Sequence, residues 1–257
     1  MSTVTLVTGG NRGIGREVCR QLADRGHTVM LTARSAQAAA AAARAAGAEP
    51  LPLDVTDPGS IAAAARQVGE RHGKLDVLVN NAAIDYDTGQ RAIDADLAVV
   101  REAAETNLYG PWLLVQEFLP LLRASGHGRI VNVSSEAASL ASMGAGTPAY
   151  NASKVALNAL TRMLAAELRG DGILVNAICP GWVATDLWVR NTEGMKKEFG
   201  VASEAEARKV AAKKNSLGRM GKPEELANAT VFLCSERASY ITGVSLNLDG
   251  GRLKGLW

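Results

Sequence analysis

Short runs of apolar and β-branched residues recur at 3–8, 28–33, 51–54, 75–80, 130–134, 173–178 and 244–248, and stretches with helical spacing fill the intervals. Strand-length runs alternating with helices from one end to the other are what β-α units produce. The pattern therefore predicts a doubly wound parallel sheet of about seven strands with helices on both faces. No compositional break or Pro/Gly/Ser linker interrupts it, which predicts a single domain over 1–257. The alanine-rich stretch 36–46 reads as a helix stopped by Gly47, and Asp57 with Pro58 reads as the N-cap and first turn of the next. Two long helices are expected over about 94–124 and 148–168. In the first, Pro111 lacks the N–H that would bond the carbonyl of Asn107, so a kink is expected there, with that carbonyl left for a water bridge toward Lys154. Segment 187–222 carries nine basic and four acidic residues with little strand character, and reads as short helices in a loop or lid.

Composition narrows the classes. A chain of 257 residues that is 47% hydrophobic and 21% charged can bury a core, which excludes disorder. The 28 basic and 26 acidic side chains leave a net charge of +2, so neither nucleic acid nor a membrane surface is expected as a partner. Cys19, Cys179 and Cys234 form no CxxC pair, and His27, His72 and His127 stand apart from other ligand types, so neither a disulfide framework nor a metal site is expected. With no basic-then-apolar leader and no membrane-length apolar run, the chain reads as cytoplasmic.

The chemistry gathers at the predicted strand ends. The first strand runs into Thr8-Gly-Gly-Asn-Arg-Gly-Ile-Gly15, whose glycines permit a tight turn and let backbone approach a pyrophosphate at a helix N-terminus. The later strands end in Arg34, Asp54, Asn80-Asn81, Ser134-Ser135 and Pro180-Gly181, all at the carboxyl edge where open parallel sheets bind ligands. Tyr150 and Lys154, four residues apart on a predicted helix, share one face, and an ammonium beside a phenol favours the phenolate. One of Ser134 and Ser135, selected by strand alternation, would hold the oxygen that Tyr150 protonates.

Together these residues resemble the short-chain dehydrogenase/reductase family over nearly the whole chain. The segment from Thr8 to Gly15 is similar to its cofactor loop, Asn80-Asn-Ala-Ala83 to its NNAG element, and Arg129 to Ser135 to the strand bearing its active serine. Tyr150-Asn-Ala-Ser-Lys154 matches its YxxxK, Pro180-Gly-Trp-Val-Ala-Thr185 its PGxxxT, and Ile241 to Gly251 its last strand. Ala83 and Ala138 depart from the glycines usual at those places. The resemblance implies a Rossmann-type fold in which Ser135 orients a carbonyl, Tyr150 donates the proton, Lys154 binds the nicotinamide ribose and Asn107 completes a proton relay. It implies a cofactor held by Gly9, Asn11, Arg12, Gly13, Ile14 and Gly15, by Asp54 and Val55 at the adenine, by Asn81 and Ala82 at the ribose, and by Pro180, Gly181, Val183 and Thr185 at the nicotinamide end. It also implies a homotetramer, with Trp112, Leu113, Val115, Phe118 and Leu119 supplying apolar surface.

The second strand ends in Arg34 with no carboxylate, so NADP(H) is the expected cofactor, Arg34 and Arg12 taking its 2′-phosphate. A small carbonyl compound or secondary alcohol is the expected substrate, walled by Gly144 to Thr147, Trp182, Trp188 and the 187–222 segment. The alternatives are a 3-oxoacyl-carrier-protein reductase and a cofactor-binding regulator without turnover. The intact Ser135, Tyr150 and Lys154 argue against the regulator.

Overall fold

In the computed structural model, which describes residues 2–85, 87–88 and 90–253, all the strands are parallel and helices return the chain from one to the next. The first half runs β1 (Val4–Val7), α1 (Gly13–Ala23), β2 (Thr28–Ala33), α2 (Ala36–Ala46), β3 (Glu49–Pro52), α3 (Pro58–His72) and β4 (Val77–Asn80). Next come α4 (Leu97–Ala104) and α5 (Gly110–Ser125), joined by a π-helical turn, then β5 (Arg129–Val133), α6 (Pro148–Glu167) and β6 (Leu174–Pro180). Three short helices follow, α7 (Asp186–Arg190), α8 (Thr192–Phe199) and α9 (Glu204–Lys213), before α10 (Pro223–Leu233) and β7 (Ser245–Leu248). Strand order is β3-β2-β1-β4-β5-β6-β7. Order reverses between β1 and β4, and there the crossover helices diverge and open a crevice beyond the strand ends.

Adjacent residues on each strand enter opposite layers. Leu6, Leu78 and Ile130 pack with Ile61, Phe118 and Leu157 of α3, α5 and α6. Their neighbours Val7, Val79 and Val131 pack with Val18, Ala43 and Val231 of α1, α2 and α10. Each such side chain contributes about 1.5–3 kcal/mol on burial, and a register slip would reverse every one.

The local signals take the expected form. Gly47 ends α2 in the left-handed region; Ser35, which was not singled out from the sequence, caps its start through the Ala38 N–H. Asp57 caps α3 through Gly59, with Pro58 in its first turn. β3 begins two residues earlier than its apolar run suggests. It pairs only with β2, and an edge strand tolerates Pro50 and Pro52. Of the α5 residues expected to face a partner, Val115 and Phe118 are core, Leu113 and Leu119 pack partly against it, and Trp112 remains exposed.

Candidate active site

The glycine loop is fastened to β4 before it can hold anything else. The Thr8 hydroxyl accepts from the N–H groups of Asn81 (2.8 Å) and Ala82 (3.0 Å), while Asn81 Nδ2 donates to the carbonyls of Thr8 (2.9 Å) and Gly9 (3.1 Å). Gly9 and Gly13 have φ of 62° and 53°, the region glycine adopts without strain. A Cβ on Gly15 would run into the Asn81 amide and lie 2.7 Å from the Gly9 carbonyl oxygen. The loop delivers the start of α1, which has no side-chain cap, to a cleft of about 1330 Å³.

This cleft gathers almost every residue singled out from the sequence. Gly9, Asn11, Arg12, Gly13, Ile14, Arg34, Asp54, Val55, Asn81 and Ala82 line one end, and Ser135, Tyr150, Lys154, Pro180, Gly181, Val183 and Thr185 the other. Gly15 and Asn107 lie behind the wall. Arg34 is exposed at the end of β2. Asp54 turns its Oδ1 to the N–H and hydroxyl of Thr56 (3.0 and 2.8 Å). The Thr56 N–H first, and the Arg34 charge to a lesser degree, hold its carboxyl below the usual range. An uncapped helix start, backbone that admits no Cβ and a guanidinium at the β2 end fit a phosphorylated dinucleotide.

At the other end, both serines line the cleft. Ser134 Oγ donates to the Lys154 carbonyl (3.3 Å), whereas Ser135 Oγ accepts from the Ala137 N–H (3.2 Å) in the short turn that follows β5. Lys154 Nζ donates to the Val133 carbonyl (2.8 Å) and lies 5.7 Å from the Tyr150 ring centroid. The expected lowering of Tyr150 by Lys154 does not dominate here. Burial raises the phenol, the Asp85 charge adds to the rise, and the Ser135 bond opposes it. Burial also lowers Lys154 to about 8.

Behind the wall, Asn107 clamps three pieces together. Its Oδ1 accepts from the Ile84 N–H (2.9 Å), and its Nδ2 donates to the Ile84 carbonyl (2.9 Å) and Ser153 Oγ (3.0 Å). The break expected at Pro111 takes the form of a π turn, Glu105–Tyr109, in which the Gly110 N–H bonds the Glu105 carbonyl five residues back. A Cβ on Gly110 would stand 2.6 Å from the Val55 carbonyl oxygen, so glycine lets this turn meet the loop after β3.

A family model described as "Enoyl-(Acyl carrier protein) reductase" matches residues 9–252. The 3-oxoacyl-[acyl-carrier-protein] reductase of Aquifex aeolicus is 35% identical, with 96% of each chain covered. The chain belongs to the short-chain dehydrogenase/reductase family. Within this family of oxidoreductases, the galactitol 2-dehydrogenase (L-tagatose-forming) of Cereibacter sphaeroides is 36% identical over 95% of this chain and 92% of the relative. Among solved structures, the L-sorbose reductase of Gluconobacter frateurii complexed with NADPH and L-sorbose superposes with a TM-score of 0.90. It is 31% identical, with 99% of this chain and 98% of that one covered.

Against the family pattern, Ala83 sits half-buried on the cleft wall and Ala138 is buried in a short 3-10 turn after Ser135, both with ordinary backbone. Three features escaped the sequence reading. Asp87 is 1% exposed and caps α6 from the loop after β4, its Oδ2 accepting from the Ala149 N–H (2.6 Å) and its Oδ1 from that of Tyr150 (3.4 Å). Glu136 pairs with Arg252 (2.6 Å), whose guanidinium stacks 3.6 Å from the Trp182 ring centroid and brings the C-terminal segment to the cleft. Asp85 lines the cleft and accepts from Asn191 Nδ2 (2.9 Å). For Asp85 and Asp87, a pair of acids four and six residues after Asn81 at a strand end was the available signal.

Among the described residues, no helix is long and apolar enough to cross a membrane.

Proposed function

We propose that the chain is an NADP(H)-dependent reductase of carbonyl compounds, reversible toward secondary alcohols, with Tyr150 as proton donor. The observation that carries this reading is the convergence of Ser135, Tyr150 and Lys154 on the cleft into which the glycine loop opens. Bound NADPH supplies the hydride to the carbonyl carbon. Ser135 Oγ and the Tyr150 hydroxyl fix the carbonyl oxygen, so charge developing there meets two positioned donors. Tyr150 gives up its proton as the alkoxide forms. Its raised pKa keeps the proton in place until that moment. Lys154 holds the cofactor ribose and then stabilises the phenolate, and Asn107 with a bridging water returns the proton from solvent. Arg34 and Arg12 take the 2′-phosphate, and segment 187–222, from α7 to the start of α10, folds over the substrate.

The single domain works in the cytoplasm, consistent with three free, buried cysteines. It assembles as a homotetramer, for which the exposed Trp112 on α5 and Leu246 on the edge strand β7 supply apolar surface. A second reading, reduction of a 3-oxoacyl thioester on a carrier protein, is favoured by the similarity to the Aquifex aeolicus enzyme. NADPH consumption with ketones and with an acyl thioester separates the two. In Tyr150→Phe, turnover should fall by about 10²–10⁴-fold while NADPH still binds. Undiminished turnover in that variant would reject the assignment.

A further inference from the structure

One carboxylate in the cleft enters the chemistry above only through its charge on Tyr150. Asp85 follows Ile84, the residue clamped by Asn107, so its backbone is held from behind. Its Oδ2 is fixed by Asn191 (2.9 Å), between α7 and α8. Its Oδ1 is buried with no hydrogen-bond partner among the described residues. Asp85 lines both the main cleft and an adjoining hollow of about 300 Å³.

A buried acceptor without a donor is costly, and a carboxylate more so than a neutral oxygen. Burial, aided by the charges of Asp87 and Glu198, raises this group to about 6, while Lys154 and Asn191 oppose the rise. At neutral pH it remains mostly an anion, which accepts hydrogen bonds and donates none. A plain alkyl or acyl chain laid against it would desolvate the charge and return nothing. A hydroxyl would supply the missing donor. An ammonium would also donate, and Asp87 and Glu198 would attract it while Lys154 repels it, but a cation gives up far more hydration than a neutral hydroxyl on entering the cleft.

Resting on the reductase reading, we propose that Asp85, held by Asn191, binds a hydroxyl group of the substrate, so that the preferred substrates are hydroxylated ketones and the polyols they form. A site built to bond a hydroxyl discriminates strongly against analogues lacking it, because the site's own polar group is left unpaired.

The test uses the full chain with saturating NADPH. It compares kcat/KM for dihydroxyacetone against acetone and for a ketohexose against hexanone, with aminoacetone and acetoacetyl-coenzyme A alongside, in wild type, Asp85→Asn and Asp85→Leu. The wild type should favour the hydroxylated member of each pair by at least about tenfold. Asp85→Leu should lower that ratio at least tenfold, chiefly through KM, and Asp85→Asn, which keeps an acceptor oxygen, at least threefold. Thermal unfolding and NADPH binding report whether each variant is folded. If the leucine variant is not, the ratio in Asp85→Asn decides alone, and an unchanged ratio overturns the proposal. It is overturned equally by a wild type that prefers the plain ketones, aminoacetone or the thioester, or by a variant in which both members of a pair fall by the same factor; in each case the reductase reading stands. Wild-type protein that reduces none of these compounds overturns both.

Discussion

Replacing Asp87 by alanine should loosen the helix that carries the chemistry without touching the substrate. The first turn of α6 has no side-chain cap of its own, since Thr147 sits in the left-handed region at φ 44° and makes no capping bond. Asp87 supplies one from 62 residues away in sequence, through the N–H groups of Ala149 and Tyr150. Loss of an N-cap costs about 0.5–2 kcal/mol. An anion at a partly buried helix start is worth up to about 2 kcal/mol, and the orphaned Ala149 N–H adds desolvation. The sum for Asp87→Ala is about 2–4 kcal/mol, which urea unfolding would resolve. Asp87→Asn, which keeps an acceptor, should lose roughly half as much. Because Tyr150 is in this first turn, kcat should also fall, about 10–100-fold for a displacement near 1 Å, while NADPH affinity changes little. A stability loss below about 0.5 kcal/mol with normal kcat would show that α6 is held by its packing alone.

Wild type should favour NADPH over NADH by about one to two decades, the contribution of a charge-assisted bond at a partly exposed site, and Arg34→Asp should abolish or reverse that preference; equal kcat/KM for both cofactors in wild type would refute this. Lys154 is a base whose folded value of about 8 lies below its ordinary 10.5, so the folded chain binds fewer protons between those pH values and stability should rise with pH across that window. At about 1.4 kcal/mol per pKa unit, wild type should gain roughly 1–3 kcal/mol on Lys154→Met between pH 7 and about pH 10, and parallel stability curves would contradict the buried ammonium. Gly15→Ala should cost about 1–3 kcal/mol and at least tenfold in NADPH affinity, since its methyl meets the Gly9 carbonyl; calorimetric binding at wild-type strength would refute it.

What was legible in the sequence was what is written locally. The seven strands, the alanine-rich helix stopped at Gly47, the Asp57-Pro58 start and the chemistry at the strand ends all follow from nearest neighbours and periodicity. Pro111 announced a break, but whether it became a kink or a π turn depended on Gly110 meeting Val55, a contact between elements. Asp87 escaped notice because its partner helix begins some sixty residues later. The Tyr150 and Lys154 shifts were similarly out of reach, because spacing along a helix shows that two groups are neighbours and says nothing of how deeply both are buried.

In the proposed reaction Tyr150 gives its proton to a carbonyl oxygen as hydride arrives at the carbon. A single-turnover experiment with NADPH deuterated at both C4 positions of the nicotinamide and a reducible ketone follows label into product in wild type and Tyr150→Phe. Wild type should place one deuterium on the former carbonyl carbon, and the variant should bind NADPH tightly with transfer slowed by at least about a hundredfold. Equal transfer rates in the two proteins, or product without label, would contradict it.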